Sequence, residues 1–406
     1  MNKSETILTA LVKAALKSET YNPKEELTTE TILDIYKESI AQTVVSLAFE
    51  ALPENARKDV PQFETAAFGS LTNNIRVTSE HIAIGKVLED SGIPYCILKG
   101  CASAYYYPNP ESRTMGDVDF LVAPSDVERA TKALENIGYL PAEDADIHDF
   151  HMEFFKGQNI AEMHYSISRT TEFGFDPSTI TNDILASARF CQTEFGKMKI
   201  PDPYHHAIIN LLHIYRHYVG TGIGLRHLCD WAVFAASKDY DDITDKFLEF
   251  TDKWHLTHFC QMLSQISVRY LGIENKDGFG RFDEKLCCEF MDDIMHLGNF
   301  GRKSVNYQGL INLFDAKTPD KKDENYISSF FSSIKSVVCT HWPKAEHNIF
   351  ILIVGTVVFS AKYLIRSIMG KRRKLHLIDD YKQAKKQVKL RSKLIDNKHS
   401  KRDHKE

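Results

Sequence analysis

Two aspartates separated by one residue are the first feature of this sequence that could do chemistry. Residues 116–122 read GDVDFLV, so Asp117 and Asp119 alternate with the apolar Val118, Phe120 and Val122. Because successive side chains of a strand point to opposite faces, both carboxylates are predicted on one face. Neighbouring carboxylates repel each other, and a hard divalent cation bound through oxygen, Mg²⁺ or Mn²⁺, relieves that repulsion. The segment therefore predicts a metal site.

A second strand-like segment, residues 161–165 (AEMHY), offers a third carboxylate. By the same alternation Glu162 and His164 share one face. If this strand lies beside the first, Glu162 reaches the same ions or acts as the base that accepts a proton from the acceptor. For His164, a structural hydrogen bond and a role in the chemistry both stay open.

Phosphate-binding candidates lie upstream of the two aspartates. Lys99 and Gly100 stand between a predicted strand at 94–98 and a predicted helix at 101–107. Backbone N–H groups at a helix start bind phosphate, and glycine permits close approach. Lys99 and Arg113, which is four residues ahead of Asp117, are expected to contact a triphosphate. Together with a divalent cation, this set is typical of phosphoryl-transfer chemistry.

In this order, Lys99-Gly100, Arg113, the Gly116–Asp119 motif and Glu162-x-His164 resemble the polymerase-beta-type nucleotidyltransferase superfamily. More narrowly, they resemble a bacterial family of uncharacterised nucleotidyltransferases. Residues 225–231 (LRHLCDW) are similar to that family's Leu-Arg-x-x-x-Asp helix, and the resemblance covers roughly residues 90–235. The superfamily's Gly-Ser pair at the helix start is replaced here by Lys99-Gly100, with Cys101 next.

The resemblance implies an enzyme that uses Mg²⁺ or Mn²⁺ to transfer NMP from an NTP, with ATP expected, to an acceptor hydroxyl. It implies three catalytic and metal-binding residues: Asp117, Asp119 and Glu162. It implies four nucleotide-binding residues: Lys99, Gly100, Arg113 and Gly116. The acceptor stays open between a small molecule, RNA and a protein. The alternative is a non-catalytic nucleotide-binding or membrane-surface scaffold protein that retains the fold.

The elements around these residues predict an α+β fold, a small mixed-sheet nucleotidyltransferase core with N-terminal and C-terminal helical regions. Residues 92–168 read as strand, helix, strand, helix, strand, strand, whereas apolar positions three and four apart predict helices before them and from Tyr204 onward. Four units are predicted: an N-terminal helical region 1–90, the core 91–200, a C-terminal helical domain 201–345, and an apolar helix with a basic tail 346–406.

Two further pairs stand four residues apart on predicted helices. His213 and His217 have a spacing that can bind zinc, but no convincing third ligand follows at short range, so we expect them to pack or to line the cleft. Arg226 and Asp230 could form an intrahelical ion pair or contact the acceptor.

Charge and cysteine content limit the classes of protein. Residues 371–406 carry 14 basic and 5 acidic residues, whereas the rest of the chain carries 36 and 50. The acidic body argues against a broad non-specific grip on nucleic acid. The eight cysteines contain no Cys-x-x-Cys pair, which is typical of buried, reduced residues. Charges within the first residues argue against a signal peptide, so a cytoplasmic location is expected.

The C-terminal segment has an apolar run at 349–361, which is shorter than the about 20 residues of a spanning helix. A buried helix is one interpretation. The other is an interfacial helix that makes peripheral membrane contact, with the basic residues 371–374 meeting anionic headgroups. The tail beyond Lys385 is expected to be mobile, and its charge could contact RNA or an anionic membrane.

Overall fold

The computed structural model describes residues 1–142, 150–168, 177–303, 350–358 and 386–394, apart from residue 388. These residues form a five-stranded mixed sheet, a two-stranded sheet and helical regions on both sides of them in the chain. The α+β fold class predicted from the sequence is confirmed.

Five helices precede the central sheet. They are α1 (Lys3–Ala15), α2 (Thr29–Ala41), α3 (Val45–Ala51), α4 (Glu54–Arg57) and α5 (Pro61–Asp90). The Asn2 side chain caps α1 by accepting a hydrogen bond from the N–H of Glu5. The long helix α5 starts with a proline, where the missing N–H has no intrahelical partner to lose, and its later turns pack against the central sheet.

The central sheet carries the residues of interest. Its elements, in chain order, are β1 (Tyr95–Ile97), α6 (Cys101–Ala104), β2 (Val118–Val122), α7 (Val127–Asn136), β3 (Leu140–Pro141), β4 (His151–Lys156) and β5 (Asn159–His164). The spatial order is β1-β2-β5-β4-β3. Only β2 and β5 pair in parallel, and their register places Asp119 opposite Glu162.

The two faces of β2 meet different helices. Val118, Phe120 and Val122 join an apolar cluster with residues of α5 and α7. Leu121, on the other face, packs in a cluster that includes helical residues further along the chain, Ile184 and Ile209. Burying each of these side chains contributes roughly 1.5–3 kcal/mol, so the register cannot slip by one residue without exposing them. The apolar face therefore fixes the direction in which Asp119 points.

A small sheet and further helices complete the described chain: α8 (Thr181–Ser187), β6 (Arg189–Thr193), β7 (Gly196–Ile200), α9 (Pro203–Gly220), α10 (Leu225–Ala236), α11 (Lys238–Asp241), α12 (Thr244–Lys253), α13 (Thr257–Ile266) and α14 (Glu284–Leu297). One buried apolar cluster joins α1, α2 and α3 to helices from α9 to α14. The two helical regions predicted from the sequence therefore share one hydrophobic core.

The C-terminal segment is described in two short stretches. Residues 350–358 are helical, with exposed Phe350, Ile353, Val354 and Val357. Among the residues with described positions, no helix has the length and apolar character needed to cross a bilayer. The remainder of the predicted apolar run and the basic residues 371–374 lie outside the described residues.

Residues 386–394, apart from 388, are also helical and dock on the folded body. Leu390 and Leu394 are buried in the large helical core. The Arg391 guanidinium donates a hydrogen bond of 2.9 Å to the Tyr218 carbonyl. The predicted mobility beyond Lys385 is therefore wrong for this stretch, because its apolar residues at four-residue spacing bury a helical face.

Candidate functional site

Asp119 is the most enclosed carboxylate of the site, with 3% of its surface exposed. Lys99 Nζ lies 2.6 Å from its Oδ1, and His164 Nε2 lies 2.9 Å from the same oxygen. Lys99 reaches Asp119 because β1, which ends two residues before it, pairs with β2, and the Leu98 N–H donates to the Asp119 carbonyl. A buried carboxylate is tolerated when charged or hydrogen-bonding partners surround it, as they do here.

Glu162 approaches Asp119 from the neighbouring strand. The parallel register sets the two residues side by side, and Glu162 Oε2 lies 3.4 Å from His164 Nε2. Asp119, Glu162 and His164 each offer a ligand atom within 4.8 Å of the others. Of the three carboxylates predicted to converge, Asp119 and Glu162 belong to this group, with His164 between them, and Asp117 does not. Two carboxylates and an imidazole form a donor set suited to a divalent cation.

Asp117 directly precedes β2 and is half-buried. Repulsion by Asp119, together with burial, raises the pKa of Asp117 to about 6, against the opposing effect of Lys99. Burial alone would raise the pKa of Asp119 too, but Lys99 and His164 hold it well below its usual range. The repulsion between the two carboxylates is the condition that a bound divalent cation relieves.

The two candidate glycines differ in what requires them. Gly100 has φ +52°, and a Cβ there would lie 3.0 Å from His81 Nε2, so the turn after Lys99 needs glycine. Gly116 is exposed, and a Cβ there would meet no atom within 4 Å. Neither its backbone conformation nor its described neighbours requires glycine. Space for a closely approaching ligand is one physical reason for the missing side chain.

Arg113 is held away from solvent, with 3% of its surface exposed. Its Nε and Nη2 each donate a 2.7 Å hydrogen bond to Asp230, on α10. The Tyr107 hydroxyl donates a third bond of 2.7 Å to the same carboxylate. Asp230 is therefore paired with Arg113 rather than with Arg226, and Arg113 ties the turn before β2 to the C-terminal helices.

Arg226, by contrast, has no ion pair among the residues that the structure describes. Burial, followed by repulsion from Arg113, lowers the pKa of its guanidinium. The positive charge of Arg226 also lowers the pKa of Asp117, so Arg226 lies near the carboxylate site. The four-residue spacing of Arg226 and Asp230 predicts either an intrahelical ion pair or a contact with the acceptor, and the ion pair is not formed because Asp230 pairs with Arg113.

A model of the family of uncharacterised nucleotidyltransferases matches residues 29–272, more than half of the chain. The chain belongs to this family. The matched range includes every candidate residue described above, and it supports nucleotidyl transfer as the general function. No curated protein matches the chain.

The structure also brings three histidines together beside these groups. His213 and His217 on α9 and His227 on α10 each offer a nitrogen within 4.8 Å of the others. Burial, then the charges of Arg216 and Lys99, lowers the pKa of His217 to about 3, so its ring is neutral. The sequence missed His227 because it lies on the next helix, beyond the glycine-containing turn.

A small cleft lies beside the carboxylate site. Lys99 and His164 line it from the sheet, and His213 and Arg216 line it from α9. The carboxylate site and the basic face of α9 therefore open into one space.

Proposed function

We propose that this protein transfers the nucleoside monophosphate of an NTP, with ATP as the first candidate, to an acceptor hydroxyl in a reaction that depends on Mg²⁺ or Mn²⁺. The observation that supports the proposal is the convergence of Asp119 and Glu162 across the parallel pair β2–β5, next to Asp117, in a chain of this family. We propose a cytoplasmic location, where NTPs are available.

The donor set fits a hard divalent cation. The three carboxylates would supply oxygen ligands, and repulsion by Asp119, which raises the pKa of Asp117, is what a bound cation would relieve. Asp117, Asp119 and Glu162 would hold the ion. When bound, it would neutralise charge on the triphosphate and favour ionisation of the attacking hydroxyl.

The remaining steps fall to side chains of this protein. The acceptor oxygen attacks the α-phosphorus, the bond from that phosphorus to the bridging oxygen breaks, and pyrophosphate leaves with the electron pair. The Glu162 carboxylate, half-buried beside His164, either completes the metal site or accepts the acceptor proton. Lys99, Gly100 and Gly116 face the nucleotide. Arg113 must keep its Asp230 pair, so its direct contact with a phosphate is restricted to the Nη1 atom.

Labelled NTP tests the proposal most directly. We expect Mg²⁺-dependent pyrophosphate release, and transfer of an α-phosphate label, when purified protein is incubated with NTP and cell extract. Asp117→Ala/Asp119→Ala should abolish both. Glu128→Gln, which changes an exposed carboxylate on α7, is the matched control and should keep full activity. Equal activity in the wild type and the double variant rejects the proposal; nucleotide binding without turnover on any acceptor supports the non-catalytic alternative.

A second candidate function, peripheral membrane contact, rests on the exposed apolar side chains of residues 350–358. We propose that this face inserts at the surface of an anionic bilayer. The test is flotation with phosphatidylserine vesicles, comparing the wild type with Phe350→Ser/Ile353→Ser/Val357→Ser. Equal flotation of both proteins, or of neither, contradicts this role.

A further inference from the structure

Among the residues that the structure describes, three buried nitrogen atoms on or next to α10 and its partner Arg113 have no hydrogen-bond acceptor. They are Arg113 Nη1, Arg226 Nε and His227 Nε2. The great majority of buried polar groups in proteins are hydrogen-bonded, and an unpartnered charged donor is the most unfavourable exception. The charge of Arg113 lowers the pKa of Arg226, and both arginines lower the pKa of His227, so the three unpartnered nitrogen atoms lie close together.

His227 has a defined donor in this arrangement. The backbone N–H of Gly224 donates to His227 Nδ1 at 3.4 Å, so Nδ1 carries the lone pair and the neutral ring carries its hydrogen on Nε2. The turn that presents this N–H is fixed, since a Cβ on Gly224 would lie 2.9 Å from the backbone of Asn299. His227 is fully buried, so its Nε2–H is a preorganised donor that has no acceptor in the described part of the chain.

Arg226 adds a positive charge that the described residues do not neutralise. The nearby Asp230 is committed to Arg113 through two hydrogen bonds. The Arg226 guanidinium contacts the ring of Phe300 at 5.5 Å, which leaves its donors available to a ligand. A half-buried, unpaired guanidinium next to buried N–H donors suits an anion with several oxygens.

We propose that Arg226 and His227, with Nη1 of Arg113, form a binding site for a phosphate oxyanion at the start of α10, beside the carboxylate site. Its occupant is the triphosphate group of the NTP, an assignment that rests on the proposed function. Arg226 lies in electrostatic contact with Asp117, so the site adjoins the carboxylates that would hold the metal. At this site Arg226 supplies the positive charge toward the triphosphate that the sequence predicts for Arg113.

The three clustered histidines raise a competing proposal, a zinc site formed by His213, His217 and His227. Two observations oppose it. A hydrogen on His227 Nε2 leaves that atom without the lone pair that a metal needs, and ligating histidines usually donate, rather than accept, through their second nitrogen. In addition, Lys99, Arg216 and Arg226 place positive charge around these rings, which repels a cation and attracts an oxyanion.

Binding of inorganic triphosphate, measured by calorimetry on the full chain, tests the site without turnover. The background variant Asp117→Asn/Asp119→Asn removes both the proposed metal site and its repulsion of the ligand, so the outcome is independent of catalysis. In this background, Arg226→Gln should weaken triphosphate binding by about 10- to 100-fold, the range of a charged hydrogen bond. Arg226→Lys should lose less, because the charge stays and the planar fork does not.

His227→Gln keeps an oxygen that can accept from the Gly224 N–H but loses the Nε2–H donor. It should therefore weaken triphosphate binding several-fold. Arg129→Gln, on the exposed surface of α7, is the matched control and should leave affinity unchanged. Unchanged affinity in both Arg226 variants overturns the site. Inorganic phosphate bound as tightly as triphosphate reassigns the site to a phosphorylated acceptor, against our assignment. Stoichiometric Zn²⁺ binding that His213→Ala abolishes supports the metal interpretation instead.

Discussion

The pairing of Arg113 with Asp230 provides the sharpest test of how this site is built. Both side chains are almost fully buried, two hydrogen bonds of 2.7 Å join them, and Tyr107 donates a third to the carboxylate. Asp230→Asn removes the negative charge and leaves the guanidinium buried without compensation. Breaking a buried ion pair from one side costs about 3–5 kcal/mol of the free energy of unfolding. We expect Arg113→Met to have a similar effect.

The double variant Arg113→Met/Asp230→Leu separates a pairwise interaction from general damage. Replacing a buried ion pair by apolar residues is often close to neutral, so the double variant should be more stable than either single variant. Urea unfolding, followed through the fluorescence of the buried Trp231, measures all three. Arg129→Gln breaks an exposed pair with Asp126 and should cost less than about 1 kcal/mol.

Additive losses in the double variant would show that the two residues do not act as a pair. A loss below about 1 kcal/mol in Asp230→Asn would show that the Arg113 guanidinium is solvated, contrary to the buried geometry. Either result would mean that Arg113 is free to contact a phosphate. The sequence-based assignment of Arg113 to the triphosphate would then regain support.

Three other predictions address pH, backbone and packing. Asp117 has a pKa of about 6 in the folded state, against an ordinary value of 3.8, so the folded state keeps a proton that the unfolded state has lost between these two values. Stability therefore falls as the pH rises through this window, and the full loss persists above pH 6. Without divalent cations, Asp117→Asn should raise the melting temperature at pH 7.5 more than at pH 5. An equal rise at both values contradicts this. Gly100→Ala should cost about 1–3 kcal/mol of the free energy of unfolding in urea, because Gly100 has a positive φ and lies close to the His81 ring. Gly116→Ala should change stability by less than about 0.5 kcal/mol but weaken NTP binding. Equal stability losses in the two variants would contradict this distinction. Leu394→Ala should cost about 2–5 kcal/mol in the same assay, and an unchanged midpoint would contradict docking of this segment.

The sequence shows which side chains share a face, but it does not show which strands are neighbours. Alternation around Asp117 and Asp119 predicted one strand face, and alternation around Glu162 predicted another. The parallel register that sets Glu162 opposite Asp119 is a tertiary property, fixed by apolar packing on the opposite face of the sheet. The resemblance to a family supplied the expectation that the two strands meet.

Spacing along the chain does not indicate partners that are far apart in the sequence. Arg113 and Asp230 are 117 residues apart, and nothing local to either residue indicates the pair. The four-residue spacing of Arg226 and Asp230 instead favoured a helix-surface ion pair, a weak interaction that a buried guanidinium readily displaces. The basic composition of residues 386–394 favours a solvated tail. The four-residue spacing of Leu390 and Leu394 is the feature that indicates a docked helix instead.

The distribution of positive charge around the site follows from these pairings. Arg113 is committed to Asp230, and Lys99 is committed to Asp119, so only Arg226 remains uncompensated among the three. A divalent cation alone would add positive charge beside Arg226, and a triphosphate alone would add negative charge beside Asp117. Bound together they offset each other, so each should strengthen the binding of the other by the same factor. The arrangement therefore favours the metal–nucleotide complex over either component.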